Sequence, residues 1–249
     1  MSQSRLRLDK YLADMGLGTR SEVKGMIRSG RILVNGQRAR SADIKIDPDE
    51  DEVMCDQMPV TYVHYEYYML NKPAGVISAT EDRHEKTVVD LIDAKQRKDL
   101  FPVGRLDKDT EGLLLITNDG QLAHQLLAPK KHVAKVYYAK VAGTVTEEDA
   151  DIFANGVVID ETLTALPAKL DILSVTDKEC SPVSEIKIEI YEGKFHQVKR
   201  MLEAVGKKVI YLKRLSMGPL CLDETLACGQ YRKLSEDEIQ MLKSSVGEK

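Results

Sequence analysis

Tryptophan is absent from this chain of 249 residues, and phenylalanine occurs only three times. Large aromatic stacking platforms are therefore not expected to be its main binding device. No apolar run approaches the roughly 20 residues that a membrane-spanning helix needs. The opening MSQSRLRLDK leads into a charged amphipathic pattern and not into the apolar stretch of a secretory signal. These absences favour a cytoplasmic protein with no membrane partner.

Cysteine is also scarce, and its four residues are scattered along the chain. None belongs to a C-x-x-C pair, so the sequence predicts neither a disulfide framework nor a zinc site. A reduced protein without a structural metal is the expectation. The four residues are Cys55, Cys180, Cys221 and Cys228.

Hydrophobic residues make up 43% of the chain and charged residues 31%. This balance is sufficient for a folded core and excludes the disordered and collagen-like classes. The length fits one large domain, or a small domain joined to a medium one.

The net charge of −4 would by itself argue against a nucleic-acid partner, but the charges are segregated. Residues 1–40 carry nine Arg and Lys against three acidic residues, and residues 41–59 carry seven acidic residues against one Lys. Residues 193–214 carry seven Arg and Lys against one Glu. Because charges further apart than about 10 Å are screened, phosphate contacts depend on local charge. The two basic blocks therefore favour a polyanionic partner.

The first basic block has a helical pattern. Apolar spacing predicts a short amphipathic helix over 6–15, which Gly16 and Gly18 break. Thr19 stands three residues before Glu22, which is the spacing of a capping box at the start of a second helix.

Arg20, Lys24 and Arg28 recur every four residues along this second helix, so they share one face. A solvated helix face is the usual role of such a stripe. Contact with phosphates is the alternative, and the context around the helix favours it.

A strand is predicted over 31–34, and Asn35-Gly36 is a tight-turn signal. Helix, glycine break, basic helix, strand and turn together resemble the S4-type RNA-binding domain over residues 4–59. The resemblance implies that this part docks a folded RNA through phosphates and shape more than through base reading.

Four short motifs mark the rest of the chain. They are NKPAG at 71–75, GRLDKDTEG at 104–112, KVY at 135–137 and EGKFHQVKRM at 192–201. The second is the most informative, because three carboxylates between two glycines, beside an apolar strand, are more than a turn requires.

Hydrophobic periodicity predicts the elements around these motifs. Helices are expected over 121–127 and 146–153, from residue 87, and from 194 to 206. Strands are expected over 67–70, 113–116, 135–141, 168–175, 183–191 and 208–214.

In order and spacing, the four motifs resemble the ribosomal small subunit pseudouridine synthase A family, and the resemblance covers nearly the whole chain. It implies an α+β fold with an S4-type RNA-binding domain over 1–59 and a pseudouridine synthase catalytic domain over 60–235. The catalytic domain is expected to have a bent, mainly antiparallel sheet flanked by helices. Residues 57–66 are expected to form a linker, and residues 236–249 a C-terminal tail.

A pseudouridine synthase breaks the N1–C1′ bond of a uridine in RNA, turns the uracil and rejoins it through C5, without a cofactor. The resemblance places the required carboxylate, as nucleophile or as stabiliser of a cationic sugar, on Asp107. A buried carboxylate needs a cation, and the family's basic partner falls on Lys199. Arg200 stays open as a substitute, although it points about 100° away on a helix; otherwise it is expected to contact RNA. Asp109 and Glu111 are expected to stabilise the loop by accepting hydrogen bonds from its backbone amides.

The resemblance also suggests roles for the surrounding residues. Tyr137 matches a tyrosine that lies against the uracil, with an ordinary strand position as the alternative. Leu212 would either contact the other side of the base or pack in the core. Arg105 would either help to flip or hold the nucleotide or form a structural salt bridge. His196 would act as an acid or base, or as a structural hydrogen-bonding residue, and Lys72 would shape a turn or contact phosphate.

The function implied is isomerisation of a specific uridine in 16S ribosomal RNA, in the helix 18 region. The protein would act as a monomer, without cofactor or metal, on ribosomal RNA or on an assembling small ribosomal subunit. The strings YYMLNKPAG and HQVKRM, and the lack of a long basic C-terminal extension, favour 16S over 23S rRNA. Three alternatives stay open: a synthase that acts on 23S rRNA, a non-catalytic RNA-binding ribosome-assembly protein, and an RNA N-glycosylase, which would release the base.

Overall fold

A computed structural model of the chain describes residues 5–178 and 181–247, so Cys180 lies outside the described residues. The protein divides into two compact units. The first is formed by the residues up to Glu66 together with Asp93–Leu100, and the second by Tyr67–Ile92 and the residues from Phe101 onward. Both units combine helices with mainly antiparallel strands, so the predicted α+β class is confirmed.

The first unit contains two short helices packed on small β-structures. The strands β2 and β5 are central in a sheet of order β3-β2-β5-β6, and β1 pairs with β4. The elements are β1 (Leu6–Arg7), α1 (Leu8–Asp14), α2 (Arg20–Arg28), β2 (Ile32–Val34), β3 (Gln37–Arg38), β4 (Lys45–Ile46), β5 (Val53–Cys55) and β6 (Met58–Pro59).

Helix α2 begins with the capping box that its sequence predicts. The Thr19 side chain accepts a hydrogen bond from the backbone N–H of Glu22, whose carboxylate accepts one from the Thr19 N–H. Val23 and Ile27 are buried in the core of the unit, while Arg20, Lys24 and Arg28 are exposed. The basic stripe is therefore on the solvent side of the helix.

The segment predicted as a linker over 57–66 packs on the first unit. The hydroxyl of Tyr11 donates to the carbonyl of Val60 at 2.6 Å, and the rings of Tyr11 and Tyr62 lie 4.8 Å apart. Asp93–Leu100 joins the same unit through Arg97, a buried side chain that donates to the carbonyl of Val63 and pairs with Asp99. The unit thus extends beyond residue 59 and includes a segment distant in sequence.

The second unit is organised around a nine-stranded sheet of order β13-β14-β10-β15-β9-β7-β17, with β16 added to β15 and β8 to β9. Pairings between the described strands of this sheet are antiparallel except for the parallel pair β15–β9. Its strands are β7 (Tyr67–Lys72), β8 (Phe101–Pro102), β9 (Glu111–Thr117), β10 (Lys135–Ala142), β13 (Lys169–Lys178), β14 (Ser181–Ile190), β15 (Lys208–Met217), β16 (Leu220–Cys221) and β17 (Tyr231–Lys233). The strands β11 (Val158–Asp160) and β12 (Leu163–Thr164) form a separate two-stranded sheet.

The helices of this unit are α3 (Gly120–Leu127), α4 (Glu147–Asn155), α5 (Gln197–Ala204) and α6 (Glu236–Ser245). The predicted helices at 121–127 and 146–153 are confirmed as α3 and α4, each with a side-chain cap at its first turn. The helix expected from residue 87 is only a single 3₁₀ turn, Val89–Leu91. Among the described residues no helix is both long enough and apolar enough to cross a membrane.

The predicted tail over 236–249 contains a packed helix. Helix α6 starts at a capping box between Ser235 and Glu238. Its residues Ile239 and Leu242 are buried in the same hydrophobic cluster as Leu113 of β9. This helix therefore belongs to the core of the second unit.

Candidate active site

The GRLDKDTEG segment forms the loop between β8 and β9. Lys72, the last residue of β7, binds this loop. The side chain of Lys72 is fully buried, and its Nζ donates to the carbonyl oxygens of Pro73, Asp107, Lys108 and Thr110 at distances between 2.8 and 3.3 Å. Burial lowers the pKa of Lys72 to about 8. Lys72 thus shapes the loop, and its burial excludes direct contact with a phosphate.

Replacing this clamp gives the first prediction. Lys72→Met removes four hydrogen bonds, and only the carbonyl oxygens of Asp107 and Lys108 keep a backbone N–H donor, so we expect the free energy of unfolding to fall by about 3 kcal/mol. Urea unfolding followed by far-UV circular dichroism measures the change. The matched control is Lys108→Met in the same loop, because Lys108 forms an exposed ion pair with Glu85 at 2.8 Å that contributes about 1 kcal/mol or less. Equal losses for the two variants would contradict the clamp.

A close approach of two strands fixes the other end of the loop. Gly112 has a φ of +99°, and a Cβ on it would lie 2.2 Å from the carbonyl oxygen of Arg214. Arg214 is its partner in the parallel pairing of β9 with β15. Only glycine fits this backbone conformation and this spacing, so the sequence brings the loop next to the middle of β15.

One face of the sheet supplies the floor of the site. Tyr137 on β10 is opposite Arg214 on β15, and Ala139 is opposite Leu212. Because alternate residues of a strand share a face, Lys135, Tyr137, Leu212 and Arg214 all point to the same side. All four are at least 90% buried and line one cavity with Asp107.

The cavity has a volume of about 100 Å³ and contains an ion pair at its wall. Lys199, in the first turn of α5, places Nζ 3.1 Å from Oδ2 of Asp107 and 2.6 Å from Oδ1 of Asp109. Burial lowers the pKa of Lys199, but its hydrogen bonds to Asp109 and Asp107 outweigh burial and raise it above the ordinary value. The hydrogen bond from Lys199 lowers the pKa of Asp109. One lysine thus holds two carboxylates of the loop.

The structure separates the two neighbouring basic residues. Arg200 points away from Asp107 and pairs with Asp160 of β11, so the expectation that Arg200 could substitute for Lys199 is wrong for this arrangement. The reason is the helical rotation of about 100° per residue. Arg105 is exposed at the edge of the cavity and forms no ion pair within the described part of the chain, against the salt-bridge alternative.

The two other acids of the loop bind side chains, contrary to the expected backbone amides. Asp109 accepts a hydrogen bond from Lys199, and Glu111 accepts one from the hydroxyl of Tyr211 at 2.7 Å. Asp107 is therefore the acid of this group that remains directed at the cavity.

His196 also stands beside the carboxylate. Its Nε2 lies 3.6 Å from Oδ1 of Asp107, and its ring stacks on that of Phe195 with centroids 3.8 Å apart. Its φ of 49° is in the left-handed region, which delays the start of α5 to Gln197 and corrects the predicted start at 194.

The sequence analysis assigned no function to three buried polar residues that line the cavity: Thr110, Lys135 and Arg214. Lys135 was noted only as the first residue of the KVY motif. Among the described residues, Oγ1 of Thr110 and Nη2 of Arg214 are buried without a hydrogen-bond partner. The alternation of Leu212 with Arg214 was the available signal, since it places both on the face that carries Tyr137. Within the described chain no group of three or more His, Cys, Asp or Glu is placed to hold a metal.

The first unit carries an exposed basic helix, and the second has a cavity with a carboxylate paired to lysine; this combination fits an enzyme that acts on a polyanion such as RNA. Comparison with known proteins specifies the reaction. Residues 66–204 match the RNA pseudouridylate synthase family, and residues 6–53 match the S4 domain. The chain belongs to the RNA pseudouridylate synthase family and is an RNA pseudouridine synthase.

Individual relatives are similar in sequence to this chain along almost its entire length. It is 48% identical over 238 residues to the uncharacterized RNA pseudouridine synthase YtzG of Bacillus subtilis, covering 95% of this chain and 98% of that one. It is 38% identical over 237 residues to ribosomal small subunit pseudouridine synthase A of Escherichia coli K12, covering 94% and 98%. A solved pseudouridylate synthase structure matches with 36% identity and a TM-score of 0.66, covering 95% of this chain and 99% of that one. The family resemblance of the four motifs is confirmed.

Proposed function

We propose that this enzyme converts a specific uridine of 16S ribosomal RNA, in the helix 18 region, to pseudouridine in the cytoplasm, with Asp107 as the catalytic carboxylate. The observation that carries the proposal is the pair of Asp107 and Lys199, 3.1 Å apart in the cavity beside Tyr137. The choice of RNA is supported by relatives named ribosomal small subunit pseudouridine synthase A, which are 38% and 39% identical to this chain.

In the proposed reaction, Asp107 acts at C1′ of the ribose, as nucleophile or by stabilising positive charge there. Lys199 orients the carboxylate and offsets its charge through the hydrogen-bonded pair. Tyr137 and Leu212 both contact the uracil in this proposal, since both belong to the buried sheet face that lines the cavity. Arg105, exposed at the edge, holds the nucleotide that has left its stack.

Tritium release tests this function directly, because isomerisation exchanges the hydrogen on C5 of uridine. Transcripts of 16S and 23S rRNA with 5-tritiated uridine are incubated with the enzyme, as free RNA and as partially assembled subunits. We expect release from 16S rRNA, also in EDTA, and pseudouridine of unchanged mass in the product. Release from 23S rRNA alone would transfer the proposal to the large subunit, and free uracil would indicate an N-glycosylase.

The basic stripe of the first unit gives a further prediction. If Arg20, Lys24 and Arg28 bind phosphates, each contact releases counterions and contributes about 0.7–0.9 to the slope of log affinity against log salt. Changing all three to Gln should weaken rRNA binding and flatten that slope by about two to three units. Filter binding across a salt series measures it.

The matched control is Arg31→Gln, because the Arg31 guanidinium is engaged by Asp56. This substitution should leave the slope nearly unchanged. A triple variant with the slope of the unmodified enzyme would show that the stripe is only a solvated helix face.

A further inference from the structure

Two buried cations lie on the floor of the cavity, and neither has a carboxylate partner among the residues that the structure describes. Lys135 is 6% exposed and Arg214 is 2% exposed. Lys135 donates from Nζ to the carbonyl of Val133 at 2.9 Å, and Arg214 donates from Nε to the carbonyl of Leu113 at 2.8 Å. Neither forms an ion pair within residues 5–178 and 181–247, and Nη2 of Arg214 has no hydrogen-bond partner there.

This arrangement is unfavourable for the protein alone. Burying a charge costs free energy unless an opposite charge or hydrogen bonds compensate it, and two like charges on one face repel each other. Burial, together with the charge of Arg214, lowers the pKa of Lys135 to about 8. Fixed cations in a site from which water is excluded are most effective where negative charge develops during a reaction.

The sheet register places both cations next to Tyr137, where the uracil is proposed to bind. Lys135 is two residues before Tyr137 on β10, and Arg214 is opposite Tyr137 on β15. All three line the cavity together with Leu212 and Asp107. A pyrimidine ring in this cavity, in contact with Tyr137 and Leu212, therefore lies within the field of the two cations.

We propose that Arg214 and Lys135 form a cationic floor that stabilises the uracil ring after it has left the sugar, through the positive charge that they place beneath the cavity. This inference rests on the proposed function. When the C1′–N1 bond breaks, its electron pair stays on the ring and is shared by N1, O2 and O4, while C1′ becomes electron-poor beside Asp107. The charge disappears when C5 bonds to C1′, the C5 proton leaves to solvent and N1 gains a proton.

The other charged and titratable groups around Lys135 are distributed over several elements. The 104–112 loop contributes Arg105, Asp107 and Lys108, and the segment from β14 into α5 contributes Tyr191, Glu192, Lys194, His196 and Lys199. The sheet adds Tyr137 and Arg214. Since these groups are present in every variant of Lys135, a comparison of such variants isolates the Lys135 charge.

Single-turnover tritium release measures the step itself. Arg214→Met is expected to lower the rate by about 10²-fold, while affinity for the same RNA changes by less than about threefold, since phosphate contacts supply most of it. Lys140→Met is the matched control, because Lys140 is on the opposite face of β10 and pairs with Glu185; its rate should be unchanged. Weakened RNA binding with an unchanged rate would overturn the proposal. It would indicate that the two cations bind a phosphate of the RNA backbone.

A pH profile tests the proposal without removing Arg214. The profile of kcat/KM reports the free enzyme. Lys135 is charged below its pKa, so kcat/KM of the unmodified enzyme should fall as pH rises through about 8. Lys135→Arg should abolish this fall and keep activity, whereas identical profiles for the two enzymes would contradict the floor. If the unmodified enzyme releases no tritium, the proposed function itself fails, which is a separate result.

Discussion

Asp107→Asn is expected to lower the rate of isomerisation by about 10⁴-fold or more, the scale of losing the central group of a catalytic unit. The amide has nearly the size of the carboxylate, but it is neither an anion nor a nucleophile. It therefore cannot act at C1′, and it loses the charge that Lys199 contacts at 3.1 Å. RNA affinity should change by less than about threefold, because phosphate contacts supply most of it. Tritium release and filter binding on the same RNA measure the two quantities.

The loop offers a matched control for this variant. Asp109 binds the same Lys199 ammonium at 2.6 Å, but its side chain is 72% exposed. Asp109→Asn removes an exposed ion pair, which contributes about 1 kcal/mol or less, so we expect a loss of about fivefold at most. If Asp109→Asn were as inactive as Asp107→Asn, the catalytic role could not be assigned to Asp107 alone.

Lys199→Met should lower the single-turnover rate by about 10²- to 10³-fold, the scale of removing one preorganised electrostatic group from an active site. It leaves Asp107 and Asp109 without their shared cation, so two carboxylates face each other and the cavity without compensation. Lys199→Arg keeps the charge and should retain more activity than Lys199→Met. Single-turnover kinetics at saturating enzyme separate this effect from binding.

Arg200→Met is the control for Lys199→Met, because Arg200 is the next residue of α5 but pairs with Asp160. It should affect RNA binding or stability more than the rate of the chemical step. A large loss of rate in Arg200→Met together with an active Lys199→Met would move the functional cation to Arg200.

Local elements were the part of the fold that the sequence could predict. The capping box of Thr19 and Glu22 is confirmed because both hydrogen bonds form within one turn. The start of α5 was misplaced because of a local bond that periodicity does not register: the Gln197 side chain accepts from the N–H of Lys194, and His196 is left-handed. The spacing of Ser235 and Glu238 signalled α6 in the same way, although the region was interpreted as a tail.

The site depends on contacts between residues distant in sequence. Asp107 and Lys199 meet because the parallel pairing of β9 with β15 brings the loop beside the strand that follows α5. Periodicity carries no information about which strands pair, so the resemblance to a family was needed to connect these two residues. Arg214 was overlooked because its alternation with Leu212 places it on the face of Tyr137 only once the pairing of β15 with β10 is known.

Mapping of pseudouridine in ribosomal RNA tests the central claim most directly. The gene is deleted from the source organism, and the strain is complemented with the unmodified enzyme or with Asp107→Asn. We expect the deletion to remove pseudouridine from one position of 16S rRNA in the helix 18 region, the unmodified enzyme to restore it, and Asp107→Asn to leave that uridine unmodified. Retention of every 16S pseudouridine in the deletion strain, or restoration by Asp107→Asn, would contradict the account.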